Sequence, residues 1–291
     1  MKLFVTGASG FVGSAVVPEL LSAGHQVLGL ARTDAAAAAI GAAGAEVLRG
    51  DLADLDALRT GARAAAGVVH LAFVHDFDDF GKAVRTDRAA IDAIGAVLAG
   101  TGKPFVAAAT VPAVPGRAAT EEDDPQDTGP LAGRAQNARA VLGRAARGVR
   151  SAVVRLPHTV HAAGGRGGFA GVLFDLARRG GVSGYVGDGS ARWPAVHVRD
   201  TARLFRIAVE EAPPGSVLHA VHEEGVTLLD TATAIGRALN VPVRSVEADA
   251  LGFLGHLATV DKPASSARTR QRFGWTPSGP SLLDDLDPEG V

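Results

Sequence analysis

Apolar positions in the first half of the chain alternate between two spacings. Short apolar runs typical of strands are each followed by a stretch with apolar residues three and four positions apart, as in an amphipathic helix. Strict β/α alternation with short links predicts an α/β fold, a Rossmann-like doubly wound parallel sheet with helices on both faces. The predicted elements are, in chain order, strand Lys2–Thr6, helix Phe11–Ala23, strand Gln26–Ala31, helix Asp34–Ala43 (with Asp34 as its cap), strand Glu46–Arg49, helix Leu55–Ala66, strand Gly67–Phe73, helix Arg85–Ala99, strand Pro104–Thr110, helix Leu131–Ala146 and strand Arg150–Leu156.

The spacing becomes irregular after Leu156, which indicates a smaller second lobe. Residues 112–130, rich in proline, glycine and acidic residues, are expected to form a solvated loop. We expect a dinucleotide-binding Rossmann core in residues 1–160, with residues 197–222 returning to it. The smaller C-terminal substrate-binding lobe is expected to comprise residues 161–196 and 223–291.

Composition narrows the classes of protein. The chain has 291 residues, with 29 Lys and Arg against 31 Asp and Glu, so it offers no strongly basic face for a nucleic-acid partner. The absence of cysteine excludes disulfides, zinc–thiolate sites and cysteine nucleophiles. No apolar run has the length of a signal peptide or a membrane span. We expect a soluble cytoplasmic protein that acts on a small molecule and has no membrane partner.

A glycine-rich turn follows the first predicted strand. Gly7, Gly10 and Gly13 are spaced three apart, a pattern that other glycines of this chain repeat and that alone says little. Here, however, a strand ends just before the turn and a helix begins within it, so backbone N–H groups can converge on a pyrophosphate. The candidate cofactor-binding residues of this turn are Gly7, Ser9, Gly10, Phe11, Val12 and Gly13.

The end of the second strand bears on the choice between NAD and NADP. An acidic residue at this position accepts a hydrogen bond from the ribose 2′-hydroxyl, whereas an arginine attracts a 2′-phosphate. The strand is followed by Arg32, and the first acid is Asp34. We therefore predict NADP(H) as cofactor, with Arg32 pairing with the 2′-phosphate and stacking on adenine.

Several segments together resemble the extended and atypical short-chain dehydrogenase/reductase family, which includes NAD(P)-dependent epimerases and dehydratases. They are Thr6-Gly7-Ala8-Ser9-Gly10-Phe11-Val12-Gly13, Gly50-Asp51-Leu52, His70-Leu71-Ala72, Gly187-Asp188-Gly189, His197-Val198-Arg199-Asp200 and Phe273-Gly274-Trp275-Thr276-Pro277. The resemblance implies a Rossmann core with a small C-terminal lobe, and a homodimer formed through helices Arg85–Ala99 and Leu131–Ala146. The further cofactor contacts that it implies are Asp51 and Leu52 at adenine, with Leu71, Ala72, Phe73, Arg134 and Pro157 elsewhere along the cofactor.

The chain departs from this family at its proton donor. Members usually pair a tyrosine with a lysine four residues later, and the lysine lowers the pKa of the phenol. The single tyrosine, Tyr185, is followed four residues later by Gly189. The family's tyrosine and lysine positions fall near Pro130 and Arg134, which cannot relay a proton, and its asparagine position falls near Asp87.

Several residues could replace the missing donor. Thr110, near the family's Ser/Thr position, is the hydroxyl expected to touch the reacting atom. His158 follows the sixth strand and titrates near neutral pH as an ordinary histidine. His75 and Asp76 pair an imidazole with a carboxylate, and Tyr185 is a further candidate from the second lobe.

Loss of the tyrosine favours an acceptor that needs no proton from the protein. An iminium carries its proton already, so the sequence predicts an NADPH-dependent reductase of a cyclic imine or a bulky ketone. The alternative is an NADP-binding sensor or regulatory protein without catalysis. Nucleotide-sugar epimerisation is disfavoured because it normally uses the same tyrosine. No metal site is expected, because the histidine pairs three residues apart lie in strand or loop.

Overall fold

The computed structural model describes residues 1–74, 79–124 and 132–287. They divide into two compact units. Unit 1 comprises Met1–Thr110, the described part of 125–155, and Ala202–Leu218. Unit 2 comprises Val111–Asp124, Leu156–Thr201 and the described residues from His219 onward.

The strands of the described residues are β1 (Lys2–Thr6), β2 (Gln26–Ala31), β3 (Glu46–Arg49), β4 (Gly67–His70), β5 (Pro104–Thr110), β6 (Arg150–Leu156), β7 (Thr159–His161), β8 (Ser183–Val186), β9 (Arg192–His197), β10 (Ser216–His219), β11 (Glu223–Thr227) and β12 (Val243–Val246). The helices are α1 (Gly13–Ser22), α2 (Asp34–Ala42), α3 (Leu55–Ala64), α4 (Phe80–Leu98), α5 (Ala132–Leu142), α6 (Gly168–Gly180), α7 (Val198–Glu211), α8 (Leu228–Leu239), α9 (Gly255–Ala258), α10 (Ala267–Phe273) and α11 (Leu282–Leu286). Two 3₁₀ segments span Gly143–Arg147 and Ala248–Leu254.

Unit 1 is built on a sheet with the strand order β3-β2-β1-β4-β5-β6-β10. Neighbouring strands from β3 to β5 pair in parallel, and β1, β2 and β4 are almost continuously buried, as strands covered on both faces must be. The order reverses at β1, and sheets of this type bind ligands beyond the carboxyl ends of the strands at such a reversal. The predicted Rossmann-like fold is confirmed.

Two local expectations for the helices were wrong. Helix α2 is capped by Thr33 rather than Asp34, because the Thr33 hydroxyl accepts from the Ala36 N–H at 3.1 Å. Helix α1 begins at Gly13, so Phe11 and Val12 belong to the turn before it. No helix within the described ranges is both long and apolar enough to cross a membrane.

Unit 2 contains two small sheets. Strand β9 lies between β7, to which it is parallel, and β11, to which it is antiparallel, while β8 pairs with β12. Residues 111–124, which the sequence pattern placed in the core, belong to this unit. Ala119 bridges to Ala264, and the Glu121 carboxylate accepts hydrogen bonds from the N–H and the hydroxyl of Thr269 at 2.7 and 2.6 Å. This part of the expected solvated loop is therefore packed.

Candidate functional site

The turn between β1 and α1 has glycine where a side chain would not fit. Gly7 has φ +68°, and a Cβ there would lie 2.7 Å from the backbone nitrogen of Ala72 at the end of β4. A Cβ on Gly13 would lie 2.0 Å from the carbonyl oxygen of Gly7. Helix α1 thus starts directly against the turn, in the geometry expected from the tight turn and the close helix packing.

The outer side of this turn can accept an anion. Ser9, Gly10 and Phe11 are exposed, and Val12, at the N-cap of α1, makes no side-chain cap. No acceptor for the N–H groups of Phe11 and Val12 is found among the described residues. Free N–H groups at a helix N-terminus carry partial positive charge, so the turn fits a pyrophosphate.

Two arginines lie at the ends of β2 and β3. Arg32 is exposed just beyond β2 and makes no ion pair within the ranges that the structure describes. Arg49 is in register with Ala31, donates to the Thr33 carbonyl at 2.7 Å, and pairs with the Asp34 carboxylate at 2.9 Å. The nearest acid to Arg32 in sequence is therefore neutralised. Arg49 was missed from the sequence, although its place at the end of the adjacent strand is the signal that could have identified it.

The two residues expected at adenine differ in exposure. Asp51 is exposed, and its Oδ1 accepts from the N–H groups of Ala53 and Asp54 at 2.8 and 3.0 Å, which shapes the loop after β3. Leu52 is only 7% exposed and packs in the hydrophobic core of unit 1. Their contact with adenine stays a prediction.

The segment after β4 is partly described. The strand ends at His70, and Leu71, Ala72 and Phe73 are half-buried beyond it. The Ala72 N–H donates to the Thr6 hydroxyl at 3.2 Å, which ties this segment to the end of β1. The candidate donors His75 and Asp76 lie outside the described residues.

A buried chain of polar groups runs from β1 to α5. The Thr6 hydroxyl and His70 Nδ1 are 2.8 Å apart, and His70 Nε2 lies 3.1 Å from Asp87 Oδ1. The other carboxylate oxygen of Asp87 accepts from Arg134 Nη1 at 3.0 Å and from the Asn137 amide at 2.8 Å. His70 and Asp87 are 3% and 2% exposed, so this network joins β1, β4, α4 and α5 inside unit 1.

Charge pairing governs this network. Burial alone would raise the pKa of Asp87, but the hydrogen bond and charge of His70, together with the charge of Arg134, hold it below its usual value. Burial lowers the pKa of Arg134, whose guanidinium also lies 4.0 Å from the centre of the Phe73 ring. Arg134, near the family's lysine position, is therefore held in a structural ion pair. Pro130, near the tyrosine position, lies outside the described residues.

Thr110 is the last residue of β5 and is half-buried. Its hydroxyl has no hydrogen-bond partner in the described part of the chain. It is therefore available to a ligand oxygen or nitrogen, although its contact with the reacting atom stays a prediction.

His158 lies in unit 2, next to the buried Pro157. The residue is half-buried, but both ring nitrogens are screened from solvent and have no hydrogen-bond partner among the residues that the structure describes. Burial, and next the charge of Lys262, lowers the pKa of His158 to about 3. The ring is thus neutral at pH 7, which corrects the expectation that His158 titrates near neutrality and donates a proton there.

Tyr185 lies in β8 of unit 2 and is half-buried. A Cβ on Gly189 would lie 2.9 Å from Tyr185 Cδ2, so the glycine makes room for the aromatic ring. This contact explains the local packing, and a donor role for the phenol stays a prediction.

The histidines of β7 and β9 are used in packing. His161 Nδ1 lies 2.6 Å from Asp285 Oδ2, and the His197 ring is 5.6 Å from the His161 ring, edge to face. Asp200 lies in the first turn of α7 and accepts from the N–H groups of Ser278 and Gly279. Across the described ranges, no group of three or more His, Cys, Asp or Glu side chains could hold a metal ion.

Comparison with known proteins shows the family to which the chain belongs. The NAD dependent epimerase/dehydratase family matches residues 3–220. Uncharacterized protein YLL056C of Saccharomyces cerevisiae is 44% identical over 98% of each chain, and uncharacterized protein C2A9.02 of Schizosaccharomyces pombe is 43% identical over the same shares.

Solved structures of similar fold cover nearly all of the chain. UDP-glucose 4-epimerase of Thermotoga maritima, solved with UDP-glucose, has a TM-score of 0.81 at 18% identity and covers 98% of this chain and 96% of its own. MoeE5, solved with UDP-glucose and NAD, has a TM-score of 0.79 at 22% identity with the same coverage.

The parallel sheet and the glycine turn define a Rossmann-type protein of the short-chain dehydrogenase/reductase class. The chain belongs to the NAD-dependent epimerase/dehydratase family, which depends on a nicotinamide dinucleotide.

Proposed function

We propose that the chain is an NADP(H)-dependent oxidoreductase that transfers hydride to a C=N or C=O acceptor. The observation that carries this proposal is the N-terminus of α1 inside the glycine turn, which has no side-chain cap and where the N–H groups of Phe11 and Val12 have no acceptor among the described residues. These groups would hold the pyrophosphate. The nicotinamide, when bound, supplies the hydride.

The arginines beside β2 and β3 favour NADP over NAD. Arg32 is exposed and makes no ion pair among the described residues, while Arg49 neutralises Asp34. A 2′-phosphate would therefore meet two arginines, and the acid next to Arg32 in sequence, Asp34, is paired with Arg49. In this proposal Arg32 pairs with the phosphate and Arg49 keeps Asp34 from opposing it.

The kind of hydride acceptor is proposed from the absence of the family's tyrosine–lysine pair in this sequence. Arg134 is committed to Asp87 and cannot relay a proton as a lysine–tyrosine pair does. A cyclic imine in its protonated form needs no donor, whereas a ketone would need the Thr110 hydroxyl or another group to hydrogen-bond its oxygen. Imine reduction therefore fits better, and a bulky ketone is the second acceptor.

The test follows NADPH absorbance at 340 nm with the purified chain and a panel of cyclic imines, ketones and aldehydes. We expect NADPH consumption with at least one imine, and slower or no consumption with aldehydes. A parallel titration measures NADPH binding by the fluorescence of the nicotinamide. Failure to bind NADPH would refute the proposal.

A second candidate function is an NADP-binding sensor without catalysis. It is favoured by the buried Asp87–Arg134 ion pair, which lies near the family's catalytic lysine position and looks structural. It predicts NADPH binding of ordinary affinity with no turnover across the panel. Binding and turnover, measured on one preparation, thus separate the two functions.

A further inference from the structure

Five buried ring nitrogen atoms of unit 2 have no hydrogen-bond partner among the described residues. Three of them, Trp193 Nε1 and the two ring nitrogens of His158, lie on neighbouring rings, and the other two are His161 Nε2 and His222 Nδ1. Trp193 is 3% exposed, and the centres of the two rings are 6.1 Å apart. A buried polar atom without a hydrogen bond is unfavourable, so unsatisfied groups that cluster in this way indicate a bound group.

A lysine of unit 2 lies beside strand β9. The Lys262 N–H donates to the Arg192 carbonyl at 2.9 Å, which places Lys262 beside the start of β9. Successive side chains of an extended segment alternate between faces. Arg192 and Asp261 pair with each other on the exposed face, whereas their neighbours Trp193 and Lys262 are 3% and 7% exposed. Lys262 and Trp193 are therefore both buried near the start of β9.

The ammonium of Lys262 has no counter-ion within the described ranges. Burial lowers the pKa of Lys262 to about 8, and the Lys262 charge in turn contributes to the lowered pKa of His158. The positive charge of Lys262 thus disfavours protonation of the His158 ring. A buried ammonium with no anion beside it is unfavourable, and an anionic ligand would remove that penalty.

Aromatic rings connect this cluster to the surface. The Phe169 ring lies 6.0 Å from Trp193, 5.1 Å from His158 and 5.7 Å from Phe253, which is 43% exposed. The rings form a wall that begins at the surface and ends at the buried nitrogens. A flat apolar group would pack against this wall and leave its polar end at Lys262.

We propose that Lys262, Trp193 and His158 form a subsite for the carboxylate of an aromatic substrate, with Phe169 and Phe253 contacting its ring. This inference rests on the proposed function, because the molecule that carries the carboxylate is taken to be the substrate, and its C=N or C=O group, not the carboxylate, is the hydride acceptor. One ammonium and neutral N–H donors match one negative charge. A phosphate, which approaches two charges at neutral pH, would need more cations than the cluster holds.

The test compares phenylacetate, phenylacetamide and phenyl phosphate by isothermal titration calorimetry on the full chain with NADP⁺ present. We expect phenylacetate to bind at least about tenfold more tightly than the amide, since a hydrogen bond to a charged group is worth roughly 1.5–3 kcal/mol. Lys262→Met should remove this preference by weakening phenylacetate roughly tenfold, while the amide changes less than about twofold. The matched control is Lys82→Met, which removes an exposed lysine of α4.

Trp193→Phe keeps the aromatic wall and removes the N–H, so it should weaken phenylacetate about threefold or more and keep the preference over the amide. Equal binding of acid and amide to the unmodified chain would overturn the proposal and assign the buried nitrogens to water, whatever the variants do. Tighter binding of phenyl phosphate would overturn the carboxylate assignment. Titration of NADPH on the same samples reports on the proposed function separately, because its residues lie in unit 1.

Discussion

Single charges at the ends of β2 and β3 set the electrostatic character of that surface. Arg32 is exposed and makes no ion pair within the described ranges, and Arg49 is paired with Asp34. A carboxylate in place of Arg32 would face a 2′-phosphate with a like charge, and could accept from a 2′-hydroxyl instead. The preference between the two cofactors should therefore depend on this one side chain.

Arg32→Glu should weaken NADPH binding by roughly tenfold to a hundredfold, the range expected when a charge-assisted hydrogen bond of about 1.5–3 kcal/mol is lost. NADH binding should be unchanged or tighter. Both dissociation constants can be measured by nicotinamide fluorescence. The control is Arg63→Glu, which makes the same charge change at an exposed position in the last turn of α3. An unchanged ratio of the two constants would remove Arg32 from the site.

Some of these residues could be predicted from the sequence and others could not. Gly7, Gly13 and Arg32 follow from their distance to the end of a strand, which the spacing of apolar residues shows. Arg49 requires the register of β2 against β3, and Lys262 requires the packing of a loop beside β9. The prediction that His158 has an ordinary pKa was wrong, because this pKa depends on burial, which the sequence of a loop does not reveal.

At the scale of elements, helix α1 depends on the absence of a side chain at its first residue. A Cβ on Gly13 would lie 2.0 Å from the Gly7 carbonyl oxygen, too close for any relaxed contact. The N-terminus of α1 would have to move away from the turn. Because the free N–H groups belong to this junction, their alignment should be lost with it.

Gly13→Ala should destabilise the protein by about 1–3 kcal/mol, the usual range for overpacking, and weaken NADPH binding at least tenfold. Urea unfolding and fluorescence titration measure the two effects. Gly41→Ala is the matched control, because Gly41 lies in α2 with nothing within 4 Å of its Cβ position. It should stabilise by up to about 1 kcal/mol. Normal NADPH affinity in Gly13→Ala would show that the turn is not the pyrophosphate site.

The elements of the two units were not equally predictable. In unit 1, strands such as β5 with seven residues and helices such as α4 with 19 give a clear period. In unit 2, β7 has three residues and α9 has four, so neither is long enough to repeat its own period, about 2 residues for a strand and about 3.6 for a helix, a second time. Residues 111–124 were misplaced because an acidic stretch resembles a solvated loop until Glu121 is seen to accept from Thr269.

For the whole molecule, stability in acid should depend on the buried network of unit 1. The folded-state pKa of Asp87 lies below its ordinary value, so the carboxylate binds its proton less readily in the folded than in the unfolded chain. Its contribution is therefore present above the unfolded pKa, near 4, and is lost as the pH falls through the lower folded value. This contribution comes from the pairing of the Asp87 carboxylate with His70 and Arg134.

Asp87→Asn should cost about 3–5 kcal/mol at pH 7, because it leaves the largely buried guanidinium of Arg134 without its anion. Between pH 5 and pH 3 the variant should lose stability less steeply than the unmodified chain, since the group that takes up the proton is gone. Urea unfolding at several pH values measures both effects. Asp56→Asn, which breaks an exposed pair with Arg59, should change stability by less than about 1 kcal/mol. Parallel acid limbs in Asp87→Asn and the unmodified chain would show that the network does not govern acid stability.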